Sequence, residues 1–140
     1  MNLRLLAGTA AGAITLFLLG YLIWGIVLAS YMKENTFQYA GLIREPPDLI
    51  VLIISNVVMA FMLAFVIEYW ASARTFLGGL KVGAILGFLF ALSIDIGELG
   101  YMNLYRGYAI IAVDVLGETL RDAVAGGVIG TVLGLMHRDE

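Results

Sequence analysis

The sequence has no cysteine, two prolines, one histidine and only 14% charged residues. Without cysteine there is no disulfide framework, no thiolate metal site and no cysteine nucleophile. With so little proline, and 17 glycines in no strict period, the chain is neither collagen-like nor a Pro-rich linker. A lone histidine with no cysteine cannot build a haem pair or a His-rich di-iron site. Cationic side chains are scarce as well. Eight Lys and Arg stand against eleven Asp and Glu, for a formal net charge of −3, so no basic patch exists for nucleic acid. GxSxG, HExxH and P-loop patterns are missing. These residues give no positive sign of an enzyme, which stays a distant third reading, and no cofactor is expected.

What is abundant is apolar. Hydrophobic residues make up 61% of the chain and the mean hydropathy is +0.96, where soluble domains are about 45–50% apolar and about 25% charged. The partner this composition calls for is a lipid bilayer. A bilayer core of about 30 Å takes about 20 apolar residues as a helix. Four stretches meet that requirement, at about 5–31, 48–70, 77–101 and 108–137. The expectation is an all-α, four-transmembrane-helix bundle with short loops, a single transmembrane domain over 1–140. The first stretch is too long for the h-region of a signal peptide and reads as a retained helix.

The boundaries have local causes. Lys33-Glu34-Asn35 ends the first span. Pro46-Pro47 excludes helix before the second, and Asp48 can cap it. Tyr69-Trp70 closes the second as an interfacial aromatic pair. Residues 72–75 and 103–107 are short polar turns. Arg4, Arg74, Lys81 and Arg138 would share one side, against Lys33, Arg44 and Arg106 on the other, which favours both termini inside. Ala11-Gly12-Ala13-Ile14 resembles Val82-Gly83-Ala84-Ile85, and Ser55-Asn56 has a counterpart in Arg121-Asp122. Two like hairpins, 1–70 and 71–140, would explain this, although Gly- and Ala-rich helices also match by chance.

Lipid supplies no hydrophobic drive for helix association, so small residues let backbones approach instead. Gly8 and Gly12, then Gly79, Gly83 and Gly87, then Gly126, Gly130 and Gly134 each recur every fourth residue. Ala60 and Ala64 offer a weaker version. These stripes predict close helix packing in one half of the membrane, with a dimer seam as the alternative for one of them. The other half holds Tyr21, Trp24 and Tyr31, read as one helix face, together with Asn56 and the acids.

Asp95 and Glu98 lie three apart. Asp114, Glu118 and Asp122 form a stripe on the fourth helix. Arg121 is the one cation among them and can pair with Glu118. An ionisable group at the bilayer centre costs roughly 2.5–3.5 kcal/mol on insertion scales, so such groups line a cavity, pair or titrate. The functional expectation is a proton or cation site in an acidic vestibule, where carboxylates would suit hard cations such as Mg²⁺, Ca²⁺ or Mn²⁺. The alternative is that the helices project beyond the lipid and the acids are wetted, with Arg121–Asp122 a structural pair. Lys81 is expected to snorkel, Glu68 to lie at the interface, Asn56 to bond another helix, and His137 to suit its helix C-terminus.

Gly20-Tyr21-Leu22-Ile23-Trp24-Gly25, Tyr31-Met32, Glu45-Pro46-Pro47 and the run Gly126, Gly127, Gly130 resemble small bacterial four-helix integral membrane proteins of an uncharacterised family. The resemblance implies four transmembrane helices in a bacterial inner membrane and transfers no functional residue. Small multidrug transporters also have four short spans, but their essential acid lies in the first helix, and this first helix has none. The leading expectation is a small transporter-like or cation/proton-binding protein. The rival is a non-catalytic accessory or scaffold subunit of a larger membrane complex, or a homo-oligomer, for which the glycine stripes are docking faces.

Overall fold

A computed structural model describes residues 2–138, with Arg138 by its backbone alone. The chain is all-helical. Helix α1 (Leu3–Gly20) starts on Asn2, whose side chain accepts the Arg4 N–H at 3.2 Å. It continues with π-type winding over Tyr21–Val27 and breaks at Leu28, after which a short α2 covers Ala29–Asn35. Helix α3 (Leu49–Phe65) is capped by Asp48, which accepts the Val51 N–H at 3.2 Å, and it ends in π-type winding over Val66–Trp70. Helix α4 (Phe76–Tyr101) is capped by Thr75 Oγ1, which accepts the Gly78 N–H at 3.0 Å. Helix α5 (Ala109–Arg138) is the last.

Four helical stretches are long and apolar enough to cross a membrane: Leu3–Val27, Leu49–Trp70, Phe76–Tyr101 and Ala109–His137. The first is shorter than the expected 5–31, because Leu28 (φ −98°, ψ 1°) leaves helical geometry and puts Tyr31 on α2. The others shift by single residues. The connection over 36–48 is not short, and its backbone pairs with the loop over 102–108. The Phe37 N–H donates to the Leu104 carbonyl at 2.7 Å, the Arg106 N–H donates to the Asn35 carbonyl at 2.9 Å, and the Arg106 guanidinium sits over the Phe37 ring.

The lateral order is α3–α1–α5–α4, and the two outer helices barely meet. Glycine explains how the inner contacts form. A Cβ on Gly79 would strike the Gly126 carbonyl oxygen, one on Gly83 that of Asp122, one on Gly130 that of Thr75, and one on Gly134 that of Arg74. Helix α5 therefore lies against α4 and the turn before it with backbones in contact, and only hydrogen fits at those positions. Gly126 faces back onto Gly79. Gly8 and Gly12 instead receive the side chains of Leu133 and Ile129 from α5, and Gly12 also abuts Ala60. Leu5, Leu16, Ala60, Leu63, Ala64, Ile67, Ala125, Ile129 and Leu133 make the core at this end. A second, smaller core at the loop end joins Ala91, Ile110, Ile111 and Val115, with Tyr31, Met32 and Tyr105 packed on it.

This order bears on the proposed repeat. Gly12 lies on an inner helix against side chains, whereas Gly83 lies on an outer helix against backbone. The matched segments therefore occupy non-equivalent places. Helix α1 packs on both α3 and α5.

Candidate functional site

The gap between the outer helices opens at the loop end into one half-open cavity of about 350 Å³. All five expected acids line it: Asp95 and Glu98 from α4, and Asp114, Glu118 and Asp122 from α5, with Arg121 among them. At 1.5 Å rise per residue, Asp95 lies about 9 Å along α4 from its end at Tyr101. On the same measure, Asp114, Glu118 and Asp122 lie about 8, 14 and 20 Å into α5. The acids thus form a descending series inside two spans. Gly87 permits the deepest point, since a Cβ there would meet the Asp122 Cβ at 2.6 Å. That glycine belongs to the acidic half of the molecule, not to the glycine-packed end where its stripe begins.

Each carboxyl has a different partner. Trp24 Nε1–H donates to Asp114 Oδ1 at 2.6 Å. Tyr105 O–H donates to Glu98 Oε2 at 2.5 Å. Arg121 pairs with Glu118 Oε2 at 2.9 Å through Nη2 and with Asp122 Oδ1 at 3.3 Å through Nε. Its guanidinium also lies 5.4 Å from the Trp24 ring, a cation–π distance. Gly20 on α1 lies beside the Arg121 side chain, where a Cβ would meet it at ordinary contact distance. Asp95 is the exception. It is 4% exposed, and its Oδ2 has no hydrogen-bond partner among the described residues. Asp114 lines the same cavity, so the unpartnered oxygen stands in an acidic surrounding, where a shared proton or a cation would relieve it.

Asp95 and Asp122 are buried and Asp114 and Glu118 half-buried, so the acids are not simply wetted helix ends. Nor do they form a metal cage: among the described residues no three His, Cys, Asp or Glu side chains are grouped to hold a metal ion. The hard divalent cations that carboxylates suit therefore lack a ready ligand set here.

Tyr105 stands outside the spans and lines the loop end of the cavity. Burial, and then its bond to Glu98, hold its phenol well above the ordinary tyrosine pKa, so the hydroxyl stays a donor. Sequence spacing gave no sign of Tyr105, which reads there as a turn residue. The Trp24–Asp114 bond was equally hidden. Tyr21, Trp24 and Tyr31 do not share a face. Tyr21 is 65% exposed while Trp24 reaches inward, because π-type winding and the break at Leu28 change the angular step that a regular helix would give. Ser55, Met59, Phe90 and Ile94 also line the cavity without having been expected to.

Two further expectations are corrected. Among the described residues Asn56 bonds no other helix: its Nδ2 donates to the Leu52 carbonyl one turn back, at 2.8 Å. Glu68 is not interfacial in the sense of being wet, since it is 3% exposed. Arg74 donates to both its oxygens, at 2.7 and 3.1 Å, and Arg4 lies 3.8 Å away. The Arg74 guanidinium is held above its ordinary pKa chiefly by this bond. Arg4 Nη1 also meets His137 Nδ1 at 2.6 Å, so His137 serves to tie α5 to α1. The glycine-packed end is thus closed by charge as well as by backbone contact. Lys81 is exposed, as a snorkelling residue is.

Compared with protein-family models, with curated proteins and with solved structures, the chain finds no match. Its chemistry is read from its own residues.

Proposed function

We propose that this is a small transporter-like membrane protein whose intramembrane acidic pocket binds protons or a cation. The observation that carries the reading is Asp95, buried with its Oδ2 unpartnered among the described residues, in a cavity lined by four other acids. Such a carboxyl favours holding a proton or a cation. The other four acids each receive a hydrogen bond or ion pair, which leaves Asp95 as the point of uptake. Glu118, Asp122 and Arg121 continue the polar series inward and serve as relay and counter-charge.

The test uses the full chain reconstituted in liposomes holding a pH-sensitive dye. Under an imposed gradient the wild type is expected to pass protons or a cation above the level of protein-free liposomes, and Asp122→Asn to lose that coupling. Unchanged coupling in Asp122→Asn, or no flux at all, sinks the reading.

A second reading, an accessory or scaffold subunit, draws on α3. Its first third, Leu49–Ile54, is exposed at every residue, and a partner helix would cover it as readily as lipid. Stoichiometric co-purification of a second membrane protein would favour it. For location we propose a bacterial inner membrane with both termini inside. The bias of Arg4, Arg74 and Lys81 toward one end supports the orientation, and the family resemblance supports the membrane.

A further inference from the structure

The rim of the cavity differs in chemistry from its floor. Ser55 and Met59 of α3 stand on one side, Phe90 and Ile94 of α4 on the other, and all four line the cavity. Phe90 and Ile94 are about half exposed, and Ser55 is exposed. These positions lie within the spans Leu49–Trp70 and Phe76–Tyr101. In a bilayer these positions would face hydrocarbon. Because α3 and α4 barely meet, few contacts among the described residues separate the cavity from the bilayer on that side. At the loop end, Tyr105 bonds Glu98 and the two loops pair with each other.

The floor lacks hydrogen-bond donors, not acceptors. Asp114, Glu98, Glu118 and Asp122 each receive one from Trp24, Tyr105 or Arg121. Asp95 Oδ2, buried at the same wall, receives none. A ligand that fits must bring N–H donors and positive charge to the floor, and apolar surface to the rim. A cavity of about 350 Å³ is at the small end of the roughly 300–1,000 Å³ of ligand pockets. That suits one headgroup with the first part of a chain.

We propose that the pocket takes an alkylammonium amphiphile from the bilayer, entering sideways between α3 and α4, with its ammonium on Asp95 and its chain between Met59, Phe90 and Ile94. This rests on the reading of the acidic pocket as a cation or proton site and names the class of cation.

The test is photolabelling of the full chain in zwitterionic nanodiscs with a diazirine-bearing long-chain primary alkylamine, the labelled residues being located by peptide mass mapping. Label is expected to concentrate at 55–59 and 90–95. Dodecylamine should compete with it, while dodecanol should not. Asp95→Asn should weaken competition about tenfold or more, the worth of a charge-assisted hydrogen bond. Circular dichroism and size-exclusion profiles report whether that variant folds. Ser55→Trp, at the exposed rim, provides a second variant that plugs the opening without touching an acid, and it should also abolish focused labelling. Label spread evenly over lipid-facing positions and indifferent to both variants overturns the proposal. Dye-monitored proton uptake by the same protein reconstituted in liposomes separates the two levels. Uptake without focused labelling overturns the amphiphile alone, and neither signal overturns the cation-site reading with it.

Discussion

Trp24 and Asp114, ninety residues apart in sequence, are joined by a 2.6 Å hydrogen bond between the inner helices. The indole is an obligate donor and the carboxylate a strong acceptor, and Arg121 covers the ring from below. One aromatic side chain thus fixes the tilt of an acid and the position of its nearest cation.

Trp24→Phe keeps the ring and removes the donor. It is expected to lower stability by about 1–3 kcal/mol, because a half-buried acid loses its partner. Thermal unfolding in detergent measures this. Asp114→Asn should shift the Trp24 emission in a Trp70→Phe background, and an unchanged spectrum would count against the bond.

The glycine contacts divide cleanly. Gly83→Ala drives a methyl into the Asp122 carbonyl, whereas Gly97→Ala meets nothing within 4 Å. The first should cost about 1–3 kcal/mol, as overpacking does. The second should be neutral or slightly stabilising, since alanine is favoured over glycine in a helix by about 1 kcal/mol. Paired melting curves decide it, and equal effects would refute the close approach of α4 and α5.

Glu68 neutralises two arginines at the closed end. Glu68→Gln should destabilise by about 1–3 kcal/mol, less than for a fully buried pair because Arg74 is partly solvated. Arg74→Lys should recover little, as an ammonium cannot span both carboxylate oxygens. The readout is resistance to heat-induced aggregation, with Arg44→Lys, an exposed i,i+4 partner of Asp48, as the silent control.

Tyr105 sets a pH dependence. Its folded pKa is raised above the ordinary 10.0, so the protonated phenol is favoured by folding. That contribution is complete below the unfolded value and is lost as pH rises through and beyond it. Wild type should therefore lose stability more steeply than Tyr105→Phe between about pH 9 and pH 11. Parallel slopes for the two proteins would show that the Glu98 bond contributes nothing.

Much of this protein is written in short-range pattern. Hydropathy alone determined the four spans, since a stretch of about 20 apolar residues has only one low-energy course through a bilayer. Asp48 was legible as a cap, and its bond to the Val51 N–H is local. The four-residue spacing of Asp114, Glu118 and Asp122 put them on one face because helical period is a property of the backbone. The glycine stripes were legible as packing faces for the same reason.

Only the tertiary structure decided which face meets which. Spacing cannot tell that Gly83 meets backbone while Gly12 meets Ile129, nor that α5, not α4, lies inside. It cannot pair Glu68 with Arg4 or Trp24 with Asp114, because those bonds join residues far apart in the chain and depend on lateral order. Asn56 turned back on its own helix, to the Leu52 carbonyl, a choice that spacing alone does not show. Asp95 and Glu98 looked equivalent in sequence. The fold gave Glu98 a donor from the neighbouring loop and left Asp95 Oδ2 without one, and that difference in partners singles out one acid of five.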